Sequence, residues 1–280
     1  ALYANGQTGI EADLWKYEPL LSTWVNYSSK LPDEPGADSP GNDPFAIQGG
    51  YDLVIGVKPN DENTIFIGGT SLFRSTDGFT TTSNTTRIGG YATADGYADY
   101  ANHHPDVHEL VFAPSDNDNL YTGSDGGVHK GDITAGTVSW TALNTDYVTY
   151  QFYYADLVPQ TGGTAVVGGA QDNGCVEAGS GTSFNEVVGG DGVAVGAISY
   201  TNASSYNYIV ATQNGNVSRA TAPNTSFDIK PAGSTSEFGT YFQLDQDNTN
   251  HMYYASKTTL VRTRMAESIS ATTVTGNSAT

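Results

Sequence analysis

Short apolar runs broken by polar turns fill nearly the whole chain. The segments VIGVKPNDENTIFIGG (54–69), ELVFAPSDNDNLYTGS (109–124), YADLVPQTGGTAVVGG (154–169), VGAISYTNASSYNYIVA (195–211) and FQLDQDNTNHMYYAS (242–256) share one plan. Each has an apolar strand, a turn rich in Pro, Asp, Asn or Gly, and a second β-rich strand, which together read as a hairpin. No stretch of useful length carries apolar residues at helical spacing. The pattern predicts an all-β chain.

The hairpins recur at a fixed interval. Turn prolines Pro59, Pro114 and Pro159 lie 55 and 45 residues apart, and the two later turns follow at similar distances. That period suits the four-stranded antiparallel blade of a β-propeller. Third strands are read at SLFRS (71–75), GVHKG (127–131) and NVSRA (216–220), and fourth strands at VSWTAL (138–143), TSFNEVV (182–188) and TSFDIK (225–230). The opening LYANG, ADLWKYE and TWVNYSS supplies a blade without its innermost strand, and the end supplies another incomplete one. The expectation is one propeller domain over 1–280 with about six blades, near 1–30, 51–88, 107–143, 151–188, 193–230 and 241–280. Its ragged ends favour a piece of a longer chain. Unpaired blade edges also invite pairing with another copy, so a self-assembling surface or fibril subunit is one reading.

Composition narrows the partners. Asp and Glu outnumber Lys and Arg by 30 to 11, and a net charge of −19 excludes nucleic acid and anionic membrane surfaces, which need a basic footprint. No apolar run reaches the roughly 20 residues of a spanning helix, so membrane insertion is not expected. Cys175 is the single cysteine, and no intrachain disulfide can form.

At STDGFTTT (75–82), directly after a third strand, the sequence resembles the Asp-box of bacterial-neuraminidase-type repeats. Ser75 and Asp77 match the pattern, whereas Phe79 stands at its glycine and Thr82 at its tryptophan. The phrases HPDVHELVFAPSDNDNLYTGSDGGV, GGAQDNG and GGDG also look like Asp-box propellers of secreted bacterial proteins, relatives of sialidases, xyloglucanase-type glycosidases and sortilin-type receptors. The resemblance implies a propeller at the cell surface or outside the cell. It leaves the activity open, since propellers host many functions.

In such a blade, loops joining second to third strands share a face with connections from one blade to the next. Asp125 in SDGG and Asp172 in QDNG fill the same loop slot of consecutive blades, and Asp191 in GGDG lies in a connection, as does NHHPDVH (102–108). Four readings compete for this rim. Asp172 and Asp191 are candidate catalytic carboxylates of a glycosidase, which needs two such groups. His104, Asp106 and His108 are candidate ligands for a metal if alternate side chains of a strand face one way; Ca²⁺ or another divalent ion is the cofactor class, although no motif demands one. Asp125, Gln171, Asn173, Tyr147 and Tyr150 are candidate contacts to a glycan or an extracellular protein, the tyrosines by stacking. Alternatively the carboxylates only cap glycine turns. The five arginines fall mostly on third strands, away from the rim, which argues against sialidase chemistry. Recognition is therefore expected to outweigh catalysis, with a xyloglucanase-like glycoside hydrolase as the alternative.

Overall fold

The computed structural model describes residues 1–35, 42–146, 150–158, 165–179, 183–202, 205–222 and 225–269. The described chain is strands and loops with three short 3-10 turns, and it has no α-helix. Its strands form six antiparallel sheets in which each strand pairs with the next in sequence. Four sheets have four strands, and the first and last have three. This is the blade architecture of a β-propeller. Contacts divide the chain into two units, Ala1–Val148 and Thr149–Thr280.

The first unit holds three sheets. The first contains β1 (Leu2–Ala4), β2 (Ala12–Glu18) and β3 (Thr23–Asn26). The second contains β4 (Val54–Lys58), β5 (Asp61–Gly68), β6 (Leu72–Ser75) and β7 (Thr85–Gly89). The third contains β8 (Val107–Ala113), β9 (Asp116–Ser124), β10 (Gly127–Asp132) and β11 (Ser139–Ala142). Alternation along β5 sends Phe66 into a core shared with Leu110, Leu120 and Trp140, while Ile67 enters another with Leu14, Phe45 and Phe73. The middle sheet is thus buried on both faces. Each fully buried Phe or Ile contributes about 1.5–3 kcal/mol. Arg74 on β6 donates to the carbonyls of Ile133, Ala135 and Gly136 at 2.8–2.9 Å, and Trp140 Nε1 donates to Ile88 O at 2.6 Å. These four bonds tie the third sheet to the second.

The second unit repeats the plan. Its sheets are β12 (Phe152–Leu157), β13 (Val166–Ala170), β14 (Cys175–Ala178) and β15 (Asn185–Val188); then β16 (Gly192–Asn202), β17 (Ser205–Thr212), β18 (Val217–Thr221) and β19 (Thr225–Asp228); then β20 (Phe242–Leu244), β21 (Met252–Ala255) and β22 (Leu260–Thr263). Along β17, Tyr206, Tyr208 and Val210 face one core while Ile209 and Ala211 face the next. The sheets come close where β13 meets β16: a Cβ on Gly192 would stand 2.7 Å from Ala170 N. The last expected blade, near 241–280, runs beyond residue 269 into positions outside the described residues.

The turn at Ser75 is a structural knot. Ser75 Oγ accepts from Phe79 N at 2.9 Å and donates to Asp77 Oδ1 at 3.0 Å, and Asp77 Oδ2 accepts from Thr81 and Asn84. Burial works against the ionised form, but these donors hold the Asp77 carboxyl well below the usual range. Phe79 takes φ +61°, a conformation that favours glycine, and its ring is fully buried in the core of the first and second sheets. Core burial offsets the backbone strain. The acidic turns before β5 and β9 are likewise self-capped: Asp61 accepts from Asn63 N and Thr64 Oγ1, and Asp116 accepts from Asp118 N and Asn119 Nδ2.

Candidate functional site

In the first unit, backbone hydrogen bonds string four loops together. Thr70 N donates to Ala46 O at 3.0 Å, Asp106 N to Thr70 O at 3.2 Å, and Asp125 N to Asp106 O at 3.3 Å. The line runs from the loop before the second sheet to the β9–β10 loop of the third. Side chains gather along it. His108 Nε2 lies 2.5 Å from Asp125 Oδ1, and Tyr51 donates its hydroxyl to both Asp125 oxygens at 3.2 and 3.4 Å. The Tyr51 ring stands edge-on to His108 with centroids 4.9 Å apart. Gln48 Nε2 donates to Asp106 Oδ1 at 2.8 Å.

Asp52 lies beneath this group. It is 0% exposed, and its carboxyl lies in hydrogen-bond reach of the Asp106 carboxyl. Burial, and then the Asp106 carboxylate beside it, push the Asp52 carboxyl upward; burial and then Asp125 do the same to Asp106. At neutral pH the pair favours sharing a proton over carrying two charges.

The local sequence explains the shape of the Asp125 loop. A Cβ on Gly126 would fall 2.2 Å from His104 Cγ, so this loop can close over His104 only with glycine there. Next along, Asn144 Oδ1 accepts from Val128 N at 3.0 Å and Asn144 Nδ2 donates to Gly126 O at 2.8 Å, pinning the turn from the far end of β11.

Of the expected metal triple, only His108 lies on a strand. Asp106 sits at φ +60° immediately before β8, and His104 Nδ1 is 3.0 Å from Pro105 O. The alternation that would aim His104, Asp106 and His108 one way is absent, because the left-handed residue turns the chain. Asp106 and His108 nevertheless both reach the cluster around Asp125. His103 is a packing residue: fully buried, it accepts from Gly90 N at 2.9 Å, lies 3.0 Å from Thr122 Oγ1, and stacks 4.3 Å from Trp140. Burial, and then His129, push its pKa down to about 3.

In the second unit the matching loops are spent differently. Asp191 Oδ1 accepts from Asp172 N at 3.2 Å, and Asp191 N donates to Gln213 Oε1 at 2.9 Å. Asp172 has φ +54°. Gln171 N donates to Gln151 O, and Asn173 Nδ2 donates to Gln171 O at 2.9 Å. The structure therefore brings Asp172 and Asp191 together through a turn-capping bond. Tyr150 is half exposed and stacks on Phe152 at 5.7 Å. Tyr147 lies outside the described residues.

Gln48, Tyr51 and Asp52 were not picked out from the sequence. The Pro/Gly/Asp-rich stretch LPDEPGADSPGNDPFAIQGG (31–50), which contains Gln48, was the available signal. Nothing in GGYDL distinguishes a buried carboxylate from an ordinary turn residue. Arg87 binds Glu34, Asn42 and Ser71, and Arg219 donates to the carbonyls of Glu267 and Ile269.

No protein-family model and no curated protein sequence matches the chain. Among solved structures, it is similar to a GH74 xyloglucanase from Xanthomonas campestris, with 12% identity and a TM-score of 0.38 over 90% of this chain and 50% of that one. A GH74 enzyme from Niastella koreensis gives 15% identity and a TM-score of 0.33 over 91% and 43%. YCF48 from Cyanidioschyzon merolae gives 9% and 0.31 over 88% and 74%. The chain spans about half the length of the two GH74 enzymes or less. At such scores these likenesses carry no weight for function, and the fold stands on the sheets themselves. Among the described residues no helix is long and apolar enough to cross a membrane.

Proposed function

We propose that the protein is an extracellular or cell-surface recognition propeller of Asp-box type that binds a glycan or a protein partner through loops at one edge of its sheets. The observation that carries this reading is the Tyr51–His108–Asp125 group. A half-exposed aromatic ring stands beside a carboxylate and an imidazole, the combination of apolar face and hydrogen-bonding groups that sugar rings use. In the first unit Asp125 serves as acceptor; in the second unit, taken by itself, Gln171, Asn173 and Tyr150 are the candidate contacts. Glycan-array binding tests this. Tyr51→Ala and Asp125→Asn are expected to abolish a signal that Tyr17→Ala, on the first sheet, leaves intact. Absence of any binding on a broad array, together with no extracellular protein captured, counts against recognition.

A second reading, a xyloglucanase-like glycoside hydrolase, is favoured by the upward-shifted Asp52 and Asp106 carboxyls, since a glycosidase needs a protonated acid beside a carboxylate. Asp172 and Asp191 are the other pair for this role. Turnover of a glucan panel, lost in Asp52→Asn or in Asp172→Asn, would support it. No turnover on a broad panel would remove it.

A further inference from the structure

We propose that the second unit holds a site for a small organic cation, an alkyl amine or guanidine, between the first strands of its three sheets. The starting point is a cavity of about 350 Å³ bordered by β12, β16, β20 and the turn after β20. That volume lies in the range of small-molecule sites. Neither Asp172 nor Asp191 borders it, so it is distinct from the loops of the same unit described above.

The strands build its walls. Tyr154 and Asp156 lie two residues apart on β12, face the same way and both border the cavity. Asp156 is fixed by backbone donors: Oδ2 accepts from Ala197 N of β16 at 2.9 Å, and Oδ1 from Leu157 N at 2.8 Å. From the other side, Thr249 Oγ1 donates to Ile198 O at 2.8 Å. The two banks thus grip consecutive residues of one strand. Asp245 opens the turn that carries Thr249, and its Oδ1 accepts from Asp247 N at 2.9 Å and Asn248 N at 3.2 Å. The floor is apolar. A Cβ on Gly196 would fall 2.8 Å from Leu244 Cδ1 and 3.1 Å from Phe242 Cε2, so these two side chains lie directly over bare backbone.

Charge selects the occupant. Asp156 and Asp245 border the cavity, and among the described residues no Lys, Arg or His does. His251 Nδ1 stands 4.0 Å from Asp245 Oδ2, outside hydrogen-bond range. A carboxylate oxygen that accepts one backbone N–H has a second lone pair and can accept again. An ammonium or guanidinium brings donors and charge together, which makes the stronger kind of hydrogen bond. Tyr154, half exposed, offers its ring face to the cation, while Phe242 and Leu244 cover an alkyl stem. A neutral ligand would enclose the two carboxylates without compensation.

The inference goes beyond the glycan reading, and its test contains no sugar. The full chain is titrated by calorimetry with agmatine and with putrescine, and with 1,4-butanediol as the neutral counterpart of putrescine. The expected result is saturable one-site binding of the amines and none of the diol. Asp156→Asn and Asp245→Asn keep an oxygen for the backbone donors and should each weaken amine binding roughly tenfold or more. Tyr154→Ala should weaken it by about two- to fivefold. Asp228→Asn, on β19 of the same unit, should leave it unchanged. If Asp156→Asn does not fold by circular dichroism, Asp245→Asn decides. Non-saturable heats, or equal loss with Asp228→Asn, would show diffuse attraction to an acidic surface and overturn the proposal. Diol binding as tight as putrescine binding would overturn it too, because the carboxylates would then recognise no charge.

Discussion

Asp125 and Asp172 occupy the same loop slot of consecutive sheets and have different lives. The first is held by side chains from elsewhere, the Tyr51 hydroxyl and His108. At the second, the backbone takes part as well, with Asp172 N donating to Asp191. Both loops follow a second strand and both contain glycine, so the turn does not set the chemistry. What sets it is which side chains reach the loop. In the first unit these are an aromatic from the loop before the second sheet and an imidazole from β8; in the second it is another carboxylate acting as a cap. A slot in a repeat is thus a place where function can be built and not a function in itself.

The comparison breaks most sharply at the glycines. Gly126→Ala would press a methyl onto His104, and Gly174→Ala would place one 2.5 Å from Val188 O at φ +68°. Each is expected to destabilise its unit by about 1–3 kcal/mol in chemical denaturation. The chain's tryptophans, Trp15, Trp24 and Trp140, all lie in the first unit, so tryptophan fluorescence should report the Gly126 variant more strongly than the Gly174 variant.

Acid should act next. His103 has a folded pKa pushed down to about 3, below the ordinary value of 6.5. The unfolded chain therefore takes up a proton that the folded chain refuses. Stability is fully present above pH 6.5 and is lost as pH falls towards 3, by up to about 1.4 kcal/mol per pH unit from this group. Trp140, 4.3 Å from His103, is the local probe. Fluorescence-monitored urea melts at pH 7, 5.5 and 4.5 should show a midpoint that falls with pH. A flat midpoint would mean that the imidazole is not sequestered.

A smaller effect separates the caps. Asp191→Ala removes the acceptor for Asp172 N and should cost about 0.5–1.5 kcal/mol, largely restored in Asp191→Asn, which keeps an oxygen there. If Asp191→Asn is as damaging as Asp191→Ala, the charge is wanted for something other than capping. The least perturbing measurement is chemical. Cys175 is fully buried and its thiol is pushed up to about 12 by burial, so a thiol reagent should label it only after unfolding. Labelling in the native state would show that the second unit opens at β14.

The all-β class and the six sheets were legible because their cause is local. Alternating apolar residues and turn prolines act within a few positions of themselves. So was the turn at Asp77, which the Ser75 and Asp77 match marked out. The site was legible only in half. Asp106, His108 and Asp125 stood out by spacing. Asp52 did not, since its burial is made by loops distant in sequence, and Tyr51 looked like any exposed tyrosine in a chain with 18. His103 stood beside His104 in the sequence, yet its ring is consumed by packing against Trp140. Phe79 shows the same limit for the backbone: the substitution was visible, but the left-handed φ it tolerates depends on a core that the local sequence does not describe.

The double-faced burial of β5 and β17 has a consequence for how this chain can change over time. In a strand with one solvent face, losing a residue moves polar groups inward at a single interface. Here, deleting one residue inside β5 would exchange Phe66 and Ile67 between two cores and spoil both at once. Length variation is therefore confined to the loops, where Tyr51, Asp106 and Asp125 sit, and the sheets that hold those loops in place are the part of the lineage least free to drift.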